Sequence, residues 1–228
     1  MAVSGVYRRI GGRYSRLLLG SVGAVALAAG SVSSLAGEAW ATGGVVKPSM
    51  GITVSGAACT LGFVFTNKSG HAVSLVARGC GPVGSRVKDR DGAALGAVAA
   101  RSATTGLSRV DLTTRQTVYA DVDEIGPVTG VLGVDDLNAT RPLLCVRAAH
   151  TGLRCGEIVG RAREDRVRFS APSASGDAGA PVYALTRTGN VLAVGVLVDE
   201  HAGGEDDPSV AAPVAAVMQE WSLSVAPS

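Results

Sequence analysis

Short apolar runs separated by turn-forming residues are the feature of this 228-residue chain that most constrains its fold. Residues 61–66 and 72–77 flank the polar segment Asn-Lys-Ser-Gly at 67–70, and Asp91-Gly92 separates two further runs. Such runs, bounded by glycine, asparagine and aspartate, are typical of antiparallel strands joined by hairpins. The pattern therefore predicts an all-β protein, built as a sandwich or a barrel.

One segment near the C-terminus has a different periodicity. Val214, Val217, Met218 and Trp221 follow Pro213 with the i, i+3, i+4, i+7 spacing of a single helical face. We therefore predict one amphipathic helix at the C-terminus, packed on a barrel.

The first 41 residues have the composition of an export signal. Four arginines within residues 8–16 precede an apolar stretch over residues 17–36, and Ala-Trp-Ala at 39–41 fits a small-residue cleavage site. An uncleaved membrane anchor is the alternative, because the apolar stretch is long enough to span a bilayer. Its glycine and serine content favours cleavage. We expect a secreted or cell-envelope protein that starts at residue 42 and contacts the membrane only through the signal segment before cleavage.

The charge balance argues against a nucleic-acid partner. Of the 21 Lys and Arg, four lie in the leader, as does one of the 19 Asp and Glu, so that 17 basic and 18 acidic residues remain. A nearly neutral domain has no strong field for nucleic acid or for an anionic membrane surface. We expect neither partner.

Four cysteines follow the leader: Cys59, Cys80, Cys145 and Cys155. An even number in an exported chain predicts two disulfides. Four cysteines can be joined in three ways. The two local bonds, Cys59–Cys80 and Cys145–Cys155, close the shortest loops. A metal site is the alternative, but the chain has no Cys-x-x-Cys and its three histidines are scattered. We expect neither a metal nor a cofactor.

Three segments carry a family resemblance. They are Cys59-Thr-Leu-Gly-Phe followed by Cys80, the run from Cys145 to Cys155-Gly, and Gly-Asp-Ala-Gly-Ala-Pro-Val at 176–182. In this order they resemble the bacterial chymotrypsin-like (trypsin-like) serine proteases of the streptogrisin and α-lytic group. The last is similar to that family's nucleophile loop, Gly-Asp-Ser-Gly-Gly-Pro-Val.

The resemblance extends loosely over residues 51–225. It implies two packed six-stranded antiparallel β-barrels, at about residues 42–119 and 120–228, with the cleft between them. It also implies the disulfide pairs Cys59–Cys80 and Cys145–Cys155.

The resemblance further implies that the catalytic triad is lost. Ala178 stands at the serine, and Gly79 stands where the family has its histidine, directly before Cys80. Thr104 falls at the aspartate, with Asp111 as a rival for that position. The chemistry needs a hydroxyl nucleophile, an imidazole that takes its proton and a carboxylate that orients the imidazole. We therefore interpret the chain as a pseudoprotease.

Two features of the nucleophile loop do not depend on the missing serine. Backbone N–H groups form the oxyanion hole in this family, so Gly176 and Ala178 could still bind a carbonyl or a carboxylate. Asp177 corresponds to the loop carboxylate, whose arginine partner in the family is replaced here by Val146. Because an unpaired buried charge is costly, we expect Asp177 either to pair with another arginine, such as Arg147, or to stay near solvent.

Three further residues are candidates for a cleft. Asp199, Glu200 and His201 fall where the family's substrate-pairing strand opens its specificity pocket. Two interpretations stay open: a site for a basic group, or a closed and reshaped cleft with these acids on the surface. His201 is also a candidate replacement for the missing base, and Ser173 and Ser175 are candidate replacement hydroxyls.

Three function hypotheses follow. The chain is a catalytically inactive homologue that binds a protein or peptide, an active serine endopeptidase with a relocated nucleophile or base, or a structural envelope protein on a protease-like scaffold.

Overall fold

The computed structural model describes residues 44–113, 116–122, 124–198 and 207–226. The predicted export signal lies outside these residues. A short parallel pair, β1 (Val45–Val46) with β9 (Thr117–Val118), joins the start of the described chain to the end of its first half. Within the described ranges, no helix has the length and apolar composition needed to cross a membrane.

The first barrel is built from one antiparallel sheet. Its strands are β2 (Gly51–Val54), β3 (Ala57–Thr60), β4 (Val64–Thr66), β5 (Ala72–Ala77), β6 (Arg86–Lys88), β7 (Ala94–Arg101), β8 (Leu107–Leu112) and β17 (Ser224–Val225). The order is β17-β4-β5-β8-β7-β6-β2-β3. Because β3 pairs with β2 while β4 pairs with β5, the bent segment 57–66 acts as one strand that closes a six-stranded ring. The C-terminal strand β17 pairs with β4 and so returns to the first barrel.

The second barrel contains a second ring of six strands. Its elements are β10 (Val128–Val131), α1 (Val134–Thr140), β11 (Leu144–Ala148), β12 (Gly152–Gly156), β13 (Val167–Phe169), β14 (Pro181–Leu185), β15 (Val191–Leu197), β16 (Ser209–Pro213) and α2 (Val214–Glu220). The order is β12-β11-β14-β15-β16-β13, and β10 lies parallel to β15. The ring closes where the Val159 N–H donates to the Arg168 carbonyl (2.8 Å) and the Ser170 N–H to the Glu157 carbonyl (2.9 Å). The predicted fold, two six-stranded antiparallel barrels with a C-terminal helix, is confirmed.

The helix α1 was missing from the sequence prediction. It is only two turns long, and Val134 and Leu137 are its buried residues, which is too few for a clear helical period. Asp135 and Asp136 lie in its first turn, where negative charge is favourable. The helix ends at Arg141, which has a left-handed φ of 43°.

Buried apolar side chains form three clusters: one inside each barrel and one between the barrels. The cluster between the barrels contains Phe63 and Phe65 from the first barrel and Tyr183 from the second. Val214 and Val217 of α2 also pack into it, as their spacing predicts. The two barrels therefore share a continuous apolar interface.

Tyr183 carries a polar atom into this interface. The residue is fully buried, and its hydroxyl has no hydrogen-bond partner among the described residues. Burial raises the pKa of the hydroxyl to about 12, although the charge of Arg147 lowers it in part. Ionisation of Tyr183 is therefore unfavourable in the folded state.

We expect alkaline pH to weaken the fold through Tyr183. The pKa in the folded state lies above the value of about 10 in an unfolded chain, so the stabilisation is complete below pH about 10 and is lost as pH rises through about 12. The loss should amount to about 2–3 kcal/mol. Urea unfolding of residues 42–228 across this range measures it. Tyr183→Phe should remove this component and be about as stable as the wild type, or more so, at neutral pH. An equal alkaline loss in the variant would contradict the prediction.

The two disulfides are present with the predicted pairing. Cys59 of β3 is joined to Cys80 in the 3-10 turn that follows β5, and Cys145 is joined to Cys155 directly opposite it in the β11–β12 hairpin. The first bond therefore ties β3 of the first barrel to the turn after β5, and the second closes a local hairpin.

The first disulfide should contribute more to stability than the second. It links residues 21 apart and the second links residues 10 apart, and the chain entropy removed from the unfolded state grows with loop length. Replacing Cys59 and Cys80 with alanine should lower the free energy of unfolding by about 3 kcal/mol. The Cys145→Ala/Cys155→Ala variant should lose less. Denaturant unfolding measures both losses, and a larger loss for the hairpin pair would contradict the prediction.

Candidate functional site

A cavity of about 680 Å³ lies at the junction of loops from both barrels. We call it the central cavity. The first barrel supplies residues 57–59 of β3, residues 77–79 and the loop 103–106; the second barrel supplies Ser175, Gly176, Ala178 and Val198. All three predicted triad positions, Gly79, Thr104 and Ala178, are among the residues that line it. The fold thus brings together residues that are far apart in the sequence.

The histidine and aspartate positions lie on two neighbouring loops of the first barrel. Gly79 follows β5, and a Cβ atom placed on it would meet no atom within 4 Å, so this position has open space. Thr104 is exposed in the loop before β8, where its hydroxyl lies 3.3 Å from that of Ser102. The rival residue, Asp111, lies outside the cavity lining and is bonded to Arg109 (2.8 Å). The cavity lining therefore includes Thr104 and not Asp111.

The loop 174–179 carries Ala178 and is anchored on the first barrel. The Ala178 carbonyl accepts a hydrogen bond from the Thr60 N–H (2.9 Å). Gly179 has a φ of +97°, and a Cβ atom there would lie 2.1 Å from the Thr60 carbonyl oxygen. Only glycine fits this close approach with a left-handed backbone. The second glycine of the Gly-Asp-Ala-Gly sequence is therefore required by packing.

Three backbone amides of this loop, those of Ser175, Gly176 and Ala178, have no acceptor among the described residues. The Asp177 N–H donates to the Ala174 carbonyl (3.0 Å), whereas the N–H groups of Gly176 and Ala178 have no acceptor among the described residues. The Thr60 hydroxyl donates to the Gly176 carbonyl (3.0 Å) and accepts from the Ala149 N–H (3.2 Å), which fixes the peptide after Gly176. The N–H groups of Gly176 and Ala178, on either side of Asp177 in the sequence, therefore have no acceptor among the described residues.

Asp177 is bonded differently from either sequence expectation. The residue is fully buried, so it does not lie near solvent. It has no ion pair within the described residues, and Arg147 instead forms an ion pair with Glu124 (2.5 Å). Instead its carboxylate accepts from the Thr151 hydroxyl (2.8 Å), the Thr151 N–H (3.2 Å) and the Ala174 N–H (2.8 Å). Both expectations were wrong, because neutral donors can satisfy a buried carboxylate without an arginine.

The remaining candidates are distributed as follows. Ser175 is exposed and lines the cavity, whereas Ser173 is not a lining residue. Asp199, Glu200 and His201 lie outside the described residues.

Arg78 and Ser102 are site residues that the sequence analysis missed. Arg78 lines the cavity, and its guanidinium donates to the carbonyls of Ser102 and Thr105 (3.0 Å for Thr105). The buried Ser102 hydroxyl donates to the Glu220 carboxylate at the end of α2 (2.7 Å) and accepts from the Thr105 N–H (3.1 Å). The signal in the sequence was an arginine directly before Gly79. These bonds fix the loop that contains Thr104.

Neither family models nor curated proteins give a match to this chain. Solved structures do match. Thermobifida fusca Protease A has 22% identity and a TM-score of 0.65, and the alignment covers 81% of this chain and 100% of that one. A Nocardiopsis protease has 22% identity, a TM-score of 0.64 and 80% and 100% coverage. Cellulomonas bogoriensis chymotrypsin has 20% identity, a TM-score of 0.61 and 79% and 98% coverage.

This chain has the chymotrypsin fold. At this level of identity the comparison establishes the fold and not the activity, so the chemistry has to be argued from the cavity. The chymotrypsin fold also explains why residues 79, 104 and 178 meet, since each lies on a loop at the junction of the two barrels.

The described residues that line the cavity include no imidazole and no carboxylate. The hydroxyls present belong to Thr104, Thr105 and Ser175, and the single charged group is the Arg78 guanidinium. A hydroxyl becomes a nucleophile only when a base within hydrogen-bond reach takes its proton. The described lining can therefore donate hydrogen bonds and hold an anion, but it offers no proton acceptor for acyl transfer.

Proposed function

We propose that this chain is an extracytoplasmic binding protein on a serine-protease scaffold, which does not cleave peptide bonds and holds a protein or peptide partner at the central cavity. The observation that carries the proposal is the composition of that cavity. The N–H groups of Gly176 and Ala178 have no acceptor among the described residues, and the positions that the resemblance predicts for the triad, Gly79, Thr104 and Ala178, all line the cavity.

We do not expect catalysis, because the described cavity lining lacks a general base. In the described lining, the exposed hydroxyl closest in sequence to Ala178 is that of Ser175, and no imidazole or carboxylate of these residues accompanies it. Removing triad members leaves only the residual rate that binding and the oxyanion hole supply. Peptide hydrolysis at a useful rate is therefore not expected.

The volume of the central cavity and its backbone N–H donors support binding. The volume of about 680 Å³ falls within the range of sites that hold small ligands or peptide segments. Free backbone N–H groups at such a site bind carbonyl or carboxylate oxygens without a catalytic step. The buried Asp177 and the Thr60 hydroxyl hold the loop that presents them.

The two disulfides support an extracytoplasmic location. All four cysteines are paired, and disulfides persist in oxidising compartments outside the cytoplasm. This supports the export that the sequence of residues 1–41 predicts.

A labelling experiment tests the lack of catalysis. Purified residues 42–228 are treated at high concentration with a fluorophosphonate probe and with casein, beside an active serine protease as a positive control. We expect no labelling and no cleavage. Labelling that Ser175→Ala abolishes would overturn the proposal in favour of a peptidase with a relocated nucleophile.

A capture experiment tests binding. Gly79→Leu places a side chain in the open space of the cavity, and Gly133→Leu is the matched control before α1, where a Cβ atom lies 3.8 Å from the nearest side-chain atom. Proteins from an extracytoplasmic extract should be retained by the wild type and by Gly133→Leu, and lost with Gly79→Leu. Equal retention by all three would argue that the partner uses another surface and that the fold is only a scaffold.

A further inference from the structure

The chemistry of the central cavity selects one class of ligand group, and this inference rests on the proposed function. Its described lining combines small residues (Ala57, Ala58, Ala77, Ala103, Gly79 and Gly106) with hydrogen-bond donors. The lining includes Gly176 and Ala178, whose N–H groups have no acceptor among the described residues, and it also includes Arg78. We propose that the cavity binds a carboxylate group of the peptide partner, with Arg78 as its cationic contact.

The charge of Arg78 is available to a ligand. Its described hydrogen bonds go to two neutral carbonyls, those of Ser102 and Thr105, and no carboxylate of the described residues pairs with it. A guanidinium has further N–H donors beyond the two used here. The Glu220 carboxylate, at the end of α2, accepts a hydrogen bond from the Ser102 hydroxyl, and Glu220 does not line the cavity. Arg78 is therefore held in place by backbone carbonyls, and its positive charge has no carboxylate partner among the described residues.

The positive charge of Arg78 at the cavity favours a carboxylate over a neutral peptide carbonyl as the bound group. Arg78 directly precedes Gly79, where a Cβ atom would meet no atom within 4 Å, and both residues line the cavity. A neutral carbonyl could use the two amides but gains little from a cation. A carboxylate has two oxygens, so it can accept from amides and from a guanidinium, and such charge-assisted bonds are about twice as strong as neutral ones.

Two sources supply a carboxylate in a peptide: the chain terminus and the side chains of Asp and Glu. Three pools of short random peptides distinguish them. One pool has a free C-terminal carboxylate and lacks Asp and Glu, the second is amidated and carries one internal Asp or Glu, and the third is amidated and lacks acids. Each pool is passed over immobilised residues 42–228, and retained peptides are quantified by mass spectrometry.

We expect one acidic pool to be retained about tenfold or more over the neutral pool, in line with a single charge-assisted contact. Arg78→Gln should abolish that preference while leaving retention of the neutral pool unchanged. Arg168→Gln, an exposed arginine on β13 outside the cavity, should keep it. Arg78→Lys should keep part of it, because the charge remains but the planar fork is lost.

The outcomes separate this inference from the proposed function. Equal retention of all three pools, or no retention of any, overturns the carboxylate assignment. If protein capture nevertheless depends on residue 79, the binding function stands without it. An Arg78→Gln variant that loses all three pools alike would show that Arg78 only supports the loop 102–105, and this would also overturn its assignment as the ligand contact.

Discussion

Replacing Asp177 with alanine should lower the free energy of unfolding by about 3 kcal/mol or more, which is among the largest effects expected of a single side chain in this protein. The change removes a fully buried carboxylate that accepts from the Thr151 hydroxyl, the Thr151 N–H and the Ala174 N–H. Those part-buried donors would be left without an acceptor, at up to about 1–3 kcal/mol each before the loop relaxes. Urea unfolding of residues 42–228 measures the loss.

Two variants show whether the cost comes from these bonds. Asp177→Asn keeps the shape but places an NH₂ group against at least one N–H or O–H donor, so it should also be destabilising, by about 1–3 kcal/mol. Thr151→Val removes one donor and leaves two, and should cost the least. A cost below about 1 kcal/mol for Asp177→Ala would contradict the burial of this carboxylate. The same variant should also weaken ligand retention, since the amides of Gly176 and Ala178 flank Asp177.

Much of the fold could be predicted from local patterns. The cysteine runs and the glycine-bounded apolar segments specify strands and turns whose neighbours are close in sequence. The spacing of Val214 and Val217 specifies the face of α2. The helix α1 escaped because two buried residues in seven give no clear period.

The site could be predicted less completely, because its bonds connect distant segments. Position 178 meets position 79 only after the barrels pack, and the family resemblance supplied that relation where periodicity could not. The partners of Asp177 were missed for a different reason. The family pattern points to an arginine as the buried partner, whereas Thr151 offers a hydroxyl and an N–H from a hairpin turn 26 residues away. The role of Arg78 depends on carbonyls of a loop that no motif marks.

Placing triad side chains at residues 79, 104 and 178 should make the protein reactive toward a fluorophosphonate probe. The variant Gly79→His/Thr104→Asp/Ala178→Ser introduces all three groups at one cavity, and the open space at residue 79 accepts a side chain. Because a positioned general base accelerates such reactions by about 10²–10⁴-fold, we expect the triple variant to be labelled at least about 100-fold faster than Ala178→Ser alone. The rate of labelling, followed by mass spectrometry of the intact protein, measures this.

The control is the double variant Gly79→His/Thr104→Asp, which has the base and its orienting carboxylate but no hydroxyl at residue 178 and should not be labelled. Because Ala178 and Gly179 are held by Thr60 through backbone contacts, the serine should not displace the loop. A folded triple variant that reacts no faster than Ala178→Ser would mean that the three positions share a cavity without triad geometry. In that case the site has changed in backbone as well as in side chains, and the absence of catalysis would not depend on residues 79, 104 and 178 alone.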